Sequence, residues 1–354
     1  MPAPAKLLSV FSLLRLLAII ALAVPAVETL AADAAAIAAY AGADREQYLL
    51  RGARSEGALT LYTNIAPWDI EKLAAEFERR YGIKMQIWRA NPDKVLHRVL
   101  NEARSGRFEA DVLHISTPEM EALLREGLLA PVASPHHADL RAEALPAHRA
   151  WAASFFSVWV QAYNTTEVKK AELPKRYEDL LDARWRGRVG IEAKNHEWFY
   201  TVVKDMGEDA GLRLFRQLAA NGLLVRSGTA LLNNMVVSGE VPLALTVYNF
   251  MVDDAKQKGA PVDWFVIEPA IARGNAVGVP KRSRRPHAAA LFYDFMLGPA
   301  QPLLAGLQHV PANKRVASPL GNVRIKLVDA GTVLDETERS SRLYDNILSR
   351  REPR

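Results

Sequence analysis

Apolar residues recur along this chain in two alternating rhythms. Leu59 to Tyr62 is a short solid run, the mark of a strand. Ile70, Leu73, Ala74, Phe77 and Tyr81 then fall on one face of a helix that Pro67 opens and Gly82 closes. Ile83, Met85 and Ile87 alternate as a second strand. Val95, Leu96, Val99, Leu100 and Ala103 line another helix between Asn91-Pro92 and Gly106. Val112, Leu113 and Ile115 make a third strand, suited to cover on both faces. Ser116 with Glu119 is a capping-box pattern, Met120, Leu123 and Leu124 share the helix that follows, and Gly127 stops it. A helical spacing over Asp33 to Ser55, with Ile37, Tyr40, Tyr48 and Leu49 inward, precedes the first strand. The β-α-β-α-β-α order predicts a parallel sheet with helical crossovers.

A loop rich in Pro, His and Ala, Pro131 to Pro146, ends this first unit. Phe155 to Tyr163 is then a long apolar strand, placed to cross between lobes. Short helix Tyr177 to Leu181, a strand through Ile191, a helix near Glu197 capped by Asn195, and helix Asp209 to Ala220 follow. Strand Leu223 to Arg226, helix Thr229 to Ser238 and strand Val241 to Val247 complete a second α/β unit. Val262 to Ile267 and Ala276 to Val279 read as strands returning to the first lobe. Helix His287 to Leu297, the alternating Val323 to Val328 and helix Leu334 to Leu348 close the chain. The division this predicts is an N-terminal helix at 33–55, a first lobe at 56–154, a second lobe with a crossing strand at 155–267, and a return to the first lobe with C-terminal helices at 268–354. No repeat or polar linker interrupts it, as joined lobes require and tandem domains do not.

Composition sharpens the picture at three points. The 354 residues suffice for two cored lobes, and 49% are hydrophobic. Cysteine is absent, which excludes disulfides, thiolate metal sites, a cysteine nucleophile and a lipidated cysteine anchor. Lys6, Arg15 and the nine-residue apolar run Leu16 to Val24 predict an export signal over 1–32, cut after Ala26, Ala31 or Ala32. The run is too short to span a bilayer, so the mature chain is expected in the periplasm. The formal charge of +5 falls to +3 without Lys6 and Arg15, too mild to argue for nucleic acid. Arg282, Arg284 and Arg285, beside Lys281, read as a solvated lead-in to a helix.

Catalytic patterns find no support. The sequence has no His-x-x-x-His, nucleophile elbow, phosphate loop or Gly-x-Gly-x-x-Gly. His136-His137 with Asp139 reads as a surface loop before a metal site, and Glu192 with Glu197 as ordinary acids before a catalytic pair. What remains is a set of strand-end loops where a parallel sheet opens its crevice: Tyr62-Thr63-Asn64, Ser116-Thr117, Glu192 to Trp198, and Tyr248-Asn249. Each has a plain reading as well: Ser116 and Thr117 as a helix cap, Tyr62 as core, Tyr248-Asn249 as a turn. Together, at corresponding ends of both sheets, they favour a ligand cleft. Hydroxyls and helix amides at Ser116 and Thr117 suit an anion; Trp198 and Tyr248 offer flat contact or suit a cation. The charge of the solute stays open between these two.

An ordered set of motifs resembles one family. Glu56-Gly-Ala-Leu-Thr-Leu-Tyr62, Phe77-Glu-Arg-Arg-Tyr-Gly-Ile83, Phe108-Glu-Ala-Asp-Val112 and Glu126-Gly-Leu-Leu-Ala-Pro131 come first. Ala162-Tyr-Asn164, Leu173-Pro174, Trp185-Arg-Gly187, Ser238-Gly-Glu-Val-Pro242 and Ala276-Val-Gly-Val-Pro280 follow in order. The chain resembles the extracellular solute-binding proteins of ABC importers, in the group of ferric-iron, thiamine and aminoethylphosphonate binders. The resemblance implies a two-lobed periplasmic binding protein of α/β class, type II-like, with its cleft between the lobes. It implies a monomeric, non-enzymatic receptor, with no cofactor, that captures a small polar solute and delivers it to an inner-membrane permease. Ferric members hold iron with a His after the first strand, a Glu after the Ala-Asp-Val strand and a Tyr pair in the second lobe. Here those places read Thr63-Asn64-Ile65, His114-Ile115-Ser116-Thr117 and Tyr248-Asn249. Bare Fe(III) wants anionic oxygens, so a chelate is the iron form this pattern leaves open. The residues expected on the solute are Tyr62, Thr63, Asn64, Ser116, Thr117, Glu197, Trp198, Tyr248 and Asn249. The rival from another class is a periplasmic hydrolase using Ser116 with a histidine.

Overall fold

A computed structural model describes residues 34–349. The predicted export signal at 1–32 and its cleavage sites lie outside those residues. The first lobe follows the order read from the pattern: α1 (34–39), α2 (Arg45–Glu56), β1 (Ala58–Thr63), α3 (Pro67–Tyr81), β2 (Lys84–Arg89), α4 (Pro92–Ser105), β3 (Val112–Ser116) and α5 (Thr117–Arg125), then the short β4 (Leu129–Ala130). β1 pairs in parallel with β2 on one side and β3 on the other. α3 ends where it should: Gly82 takes a left-handed φ of 75° and its N–H donates to the Glu78 carbonyl. Ile70, Leu73, Phe77 and Tyr81 are the buried side chains of that helix, with Ala74 and Asp69.

β5 (Trp151–Asn164) is buried along its whole length and runs out of this lobe. The second lobe holds β6 (Val189–Glu192), α6 (His196–Met206), α7 (Glu208–Ala220), β7 (Leu224–Arg226), α8 (Thr229–Ser238), β8 (Leu243–Tyr248), α9 (Asn249–Gln257) and β9 (Val262–Phe265). β10 (Ala270–Pro280) returns. α10 (Pro286–Leu297), α11 (Gln301–Gly306), β11 (Val310–Pro311), β12 (Ile325–Leu327) and α12 (Ala330–Ser349) follow. The strands form one path, β2-β1-β3-β10-β5-β8-β6-β7, in which β10 and β5 are shared by both lobes. β5 pairs β10 over its first half and β8 and β9 over its second, with a register shift between Val160 and Ala162 where it changes lobe.

Four points differ from the sequence reading. β9, expected to return to the first lobe, pairs the second half of β5 and stays in the second lobe. The single helix expected over 33–55 is two helices, broken at 40–44, where Tyr40 folds back to donate its hydroxyl to Asp44. Lys281, Arg282 and Arg284 are exposed as expected, but Arg285 is half-buried and paired: it reaches Asp111 at 2.8 Å, and the Ser283 hydroxyl and the Arg284 and Arg285 N–H groups also meet that carboxylate. The C-terminal helix does not return to the first lobe as a whole. Val333, Tyr344 and Ile347 of α12 join the second-lobe core, while Ala330 at its start stays with the first. Apolar burial decides this, because those three residues would otherwise stay in water.

Candidate functional site

The carboxyl ends of β1 and β3 in one lobe face those of β6 and β8 in the other, with β5 and β10 as the floor. Helices α3, α5, α6, α8 and α9 all begin there, and none has its first turn capped by its own N-cap side chain. Arg273 stands on β10 at this place. Its Nη2 donates to the Tyr248 hydroxyl at 3.0 Å, and Nη1 reaches the two Glu197 carboxylate oxygens at 3.4 and 3.5 Å. The guanidinium lies 5.6 Å from the ring centre of Trp159, which in turn lies 5.4 Å from Tyr248. Asn64 donates to Ser116 Oγ at 3.3 Å from the first-lobe side.

Several buried atoms of this cluster have no hydrogen-bond partner. They are Asn64 Oδ1, one Glu119 oxygen, Asn195 Nδ2, Arg273 Nε, the Trp159 indole N–H and Asn249 Oδ1. A folded protein rarely leaves so many polar atoms unmatched in one place, and ligand sites are where it does. Burial lifts the Glu119 carboxyl to about 7, against the pull of Arg273 and with a further push from Glu197. Burial likewise raises Tyr248, with Arg273 opposing it. Burial works against the Arg273 charge, but Tyr248, Glu197 and Glu119 outweigh it and the net shift is upward. The cluster is thus one coupled electrostatic unit drawn from both lobes and the floor.

A second zone joins the lobes beside it. Asn249 Nδ2 donates to the Gln308 carbonyl at 2.7 Å, and Phe250 packs 5.0 Å from His309. His309 is held by Asp69 at 2.8 Å. A cavity of about 300 Å³ opens here, lined by Trp68, Asp69 and Lys72 of the first lobe and by Asn233, Asn234 and Phe250 of the second. Asn233 is 6% exposed and its Oδ1 has no partner. A larger cavity, about 640 Å³, lies elsewhere, between Thr117, Trp151 and Phe156 and the 325–331 segment, and the second-lobe crevice loops do not line it.

The residues expected on the solute divide into three groups. Glu197, Tyr248 and Asn64 meet in the cluster, and Asn249 and Ser116 flank it. Tyr62, Thr63 and Trp198 are corrections. Tyr62 is 1% exposed in the first-lobe core, where its hydroxyl donates to Glu102 at 2.7 Å and Arg98 stacks on its ring. Its strand alternation turns it to the α4 side. Thr63 is sealed, its Oγ1 accepting from the Ile65 N–H. Trp198 is fully buried, edge-on to Tyr177 and Phe215, so it offers no flat face to a solute. Thr117 is turned away as well: it lines the larger cavity. Ser116 does not cap α5 through its side chain. Its hydrogen-bond partner is Asn64, while His114 is bound to Ser154 at 2.7 Å and kept neutral by burial, down to about 3. Glu192 serves the fold, accepting from the Lys194 and Gly228 N–H groups at 2.7 and 3.0 Å. His137 is bound to Tyr293 and pushed by burial to about 4.

Glu119, Arg273 and Trp159 were not expected on the solute. Glu119 reads in sequence as the partner of Ser116 in a cap. A lone arginine between Ala272 and Gly274 inside an apolar strand was the available signal for Arg273. Nothing local marks the face that Trp159 takes.

The description "Bacterial extracellular solute-binding protein" matches residues 110–322. The chain is 30% identical over 280 residues to Iron uptake protein A1 of Synechocystis sp., spanning 70% of this chain and 75% of that one. Iron-bound HitA from Pseudomonas aeruginosa superposes with a TM-score of 0.70 at 23% identity, over 82% of this chain and 99% of that one. AfuA from Actinobacillus pleuropneumoniae, with fructose-6-phosphate bound, does so with 0.69 at 21% identity, over 84% and 100%. The last two likenesses carry the fold alone.

Proposed function

Because the chain belongs to the bacterial extracellular solute-binding proteins, we propose that it is the periplasmic receptor of an ABC importer, and that it holds a small polar solute between its lobes for delivery to the permease. The supporting observation is the crevice cluster. Glu119 and Asn64 come from one lobe, Glu197 and Tyr248 from the other, Arg273 and Trp159 from the shared strands, and unmatched polar atoms come from all three. Only the closed arrangement supplies contacts from both sides, so solute binding favours closure. Asn64, Glu119, Glu197, Tyr248 and Arg273 are the residues we assign to the solute, with Trp159 supporting Arg273 from beneath and Asn233 and Phe250 at the neighbouring cavity.

The relative from Synechocystis is named for iron uptake, which favours a second reading, ferric iron carried as a chelate. Glu119, Glu197 and Tyr248 supply hard oxygens for it, but Arg273 sits among them and repels a bare trivalent ion. A thermal-shift screen of ferric citrate, thiamine, polyamines, phosphonates and organic acids separates these readings, since a bound solute raises the melting temperature by mass action. We expect one class to stabilise the protein and to compact it in small-angle scattering. Stabilisation by free Fe(III) alone, lost in Tyr248→Phe, would install the iron reading. A robust hydrolase activity lost in Ser116→Ala would replace the receptor altogether.

A further inference from the structure

Internal pairing leaves one carboxylate of the crevice, Glu119, without a side-chain partner. Arg273 spends Nη1 on Glu197 and Nη2 on Tyr248. Glu192 is spent on two backbone N–H groups. Glu119 has one oxygen sealed from solvent that accepts nothing. The helix N-termini around the crevice would ordinarily favour an anion. At three of the five the protein fills that role itself: Asp69, Glu119 and Glu197 stand in the first turns of α3, α5 and α6, while α8 and α9 carry no acid there. An anionic solute would meet carboxylates at those three. Two further observations indicate a hydrogen-bond donor at this place: Asn64 Oδ1 and the amide oxygen of the fully buried Asn249 accept nothing.

We propose that the solute carries one cationic nitrogen, an ammonium, amidinium or guanidinium, and that Glu119 is its counter-ion. This rests on the receptor reading and adds the charge class of the cargo. A cation against a desolvated carboxylate gains a charge-assisted hydrogen bond. The charged groups that act on Glu119 are Arg273 on β10, Glu197 on α6 and Asp93 on α4. Glu119 holds its proton up to about pH 7 when free, so cation binding must displace that proton.

Calorimetry of the mature protein with choline, benzylammonium and butylguanidinium tests this, with 3,3-dimethylbutanol and benzyl alcohol as neutral isosteres and citrate as the anion. We expect a cation to bind at least about tenfold more tightly than its isostere, and its affinity to climb by up to about tenfold per pH unit below pH 7 and level off above. Heats measured in buffers of different ionisation enthalpy should report proton release at pH 6. Glu119→Gln should remove the preference and the proton while still melting in one cooperative transition. A neutral or anionic compound that binds best, unaffected by Glu119→Gln, overturns the charge assignment. So does a panel in which no cation binds. Tyr248→Ala reads the receptor separately: if it abolishes binding of whichever compound is bound, the crevice stands even where the cation falls.

Discussion

Two arginines of this molecule, one buried in the first lobe and one half-buried in the crevice, have opposite surroundings. Arg45, in the first lobe, donates from Nε to Asp294 at 2.7 Å and from Nη2 to its other oxygen at 3.4 Å, while Nη1 meets the Ala38 and Tyr40 carbonyls. Each of its three nitrogens is used. Arg273, in the crevice, has an idle Nε and long contacts to Glu197. A buried charge that serves the fold is saturated, because an unmet donor costs stability there. The crevice leaves its charges short of partners, and a solute can complete them. The difference marks the crevice, although the Trp198 N–H in the second-lobe core and Arg141 Nε are unmatched as well.

Removing one side of the saturated pair should cost most. Asp294→Ala strands a guanidinium that is 5% exposed, and urea denaturation should show a loss of about 3–5 kcal/mol. A loss below about 1 kcal/mol would erase the contrast with Arg273. Glu119 should give the next largest effect, with a pH signature. Its carboxyl moves from the ordinary 4.5 to about 7 on folding. The folded state therefore keeps a proton that the unfolded state gives up. The stability this contributes is whole below pH 4.5 and is lost as pH rises through 7. Glu119→Gln should match the wild type at pH 4.5 and exceed it by roughly 1–3 kcal/mol at pH 8. Parallel stability–pH curves would show that the carboxylate is paired after all.

Tyr248→Phe should cost about 1 kcal/mol or less, since it removes one hydroxyl from a group only partly matched. The melting shift given by the solute should fall far more than the stability does. Equal losses in both would move Tyr248 from site to fold. Arg125→Ala, which breaks the exposed pair with Asp335 on α12, should change stability by less than about 1 kcal/mol. Scattering with and without solute would show whether that link between α5 and α12 limits opening. An unchanged amplitude makes it surface decoration.

Much of the fold was legible because apolar spacing is a local property. The face of α3 from Ile70 to Tyr81, the solid runs of β3 and β8 and the long crossing strand β5 all follow from residues close in sequence. Glycine at the end of α3 and of α4 marked their termini. The crevice loops were legible as places, since a parallel sheet fixes where its strand ends gather. Which side chains face the crevice was not. Tyr62 and Trp198 look as suitable as Tyr248 when read in a row. The difference is one residue of strand alternation for Tyr62 and the turn of α6 for Trp198, set by what packs behind them.

By itself the sequence determined the α/β class, the two lobes and their crossing strands, the resemblance to solute receptors and the expected address. These depend on periodicity, on breakers and on ordered motifs, which neighbouring residues carry. Tertiary structure alone decided that Arg273, Glu119, Glu197 and Tyr248 share one field. They lie up to 154 positions apart, on strands and helices from both lobes. It also decided which charges are saturated and which are left waiting. Saturation is a count of partners in space, and a partner such as Asp294 for Arg45, 249 positions away, leaves no trace in the residues beside it.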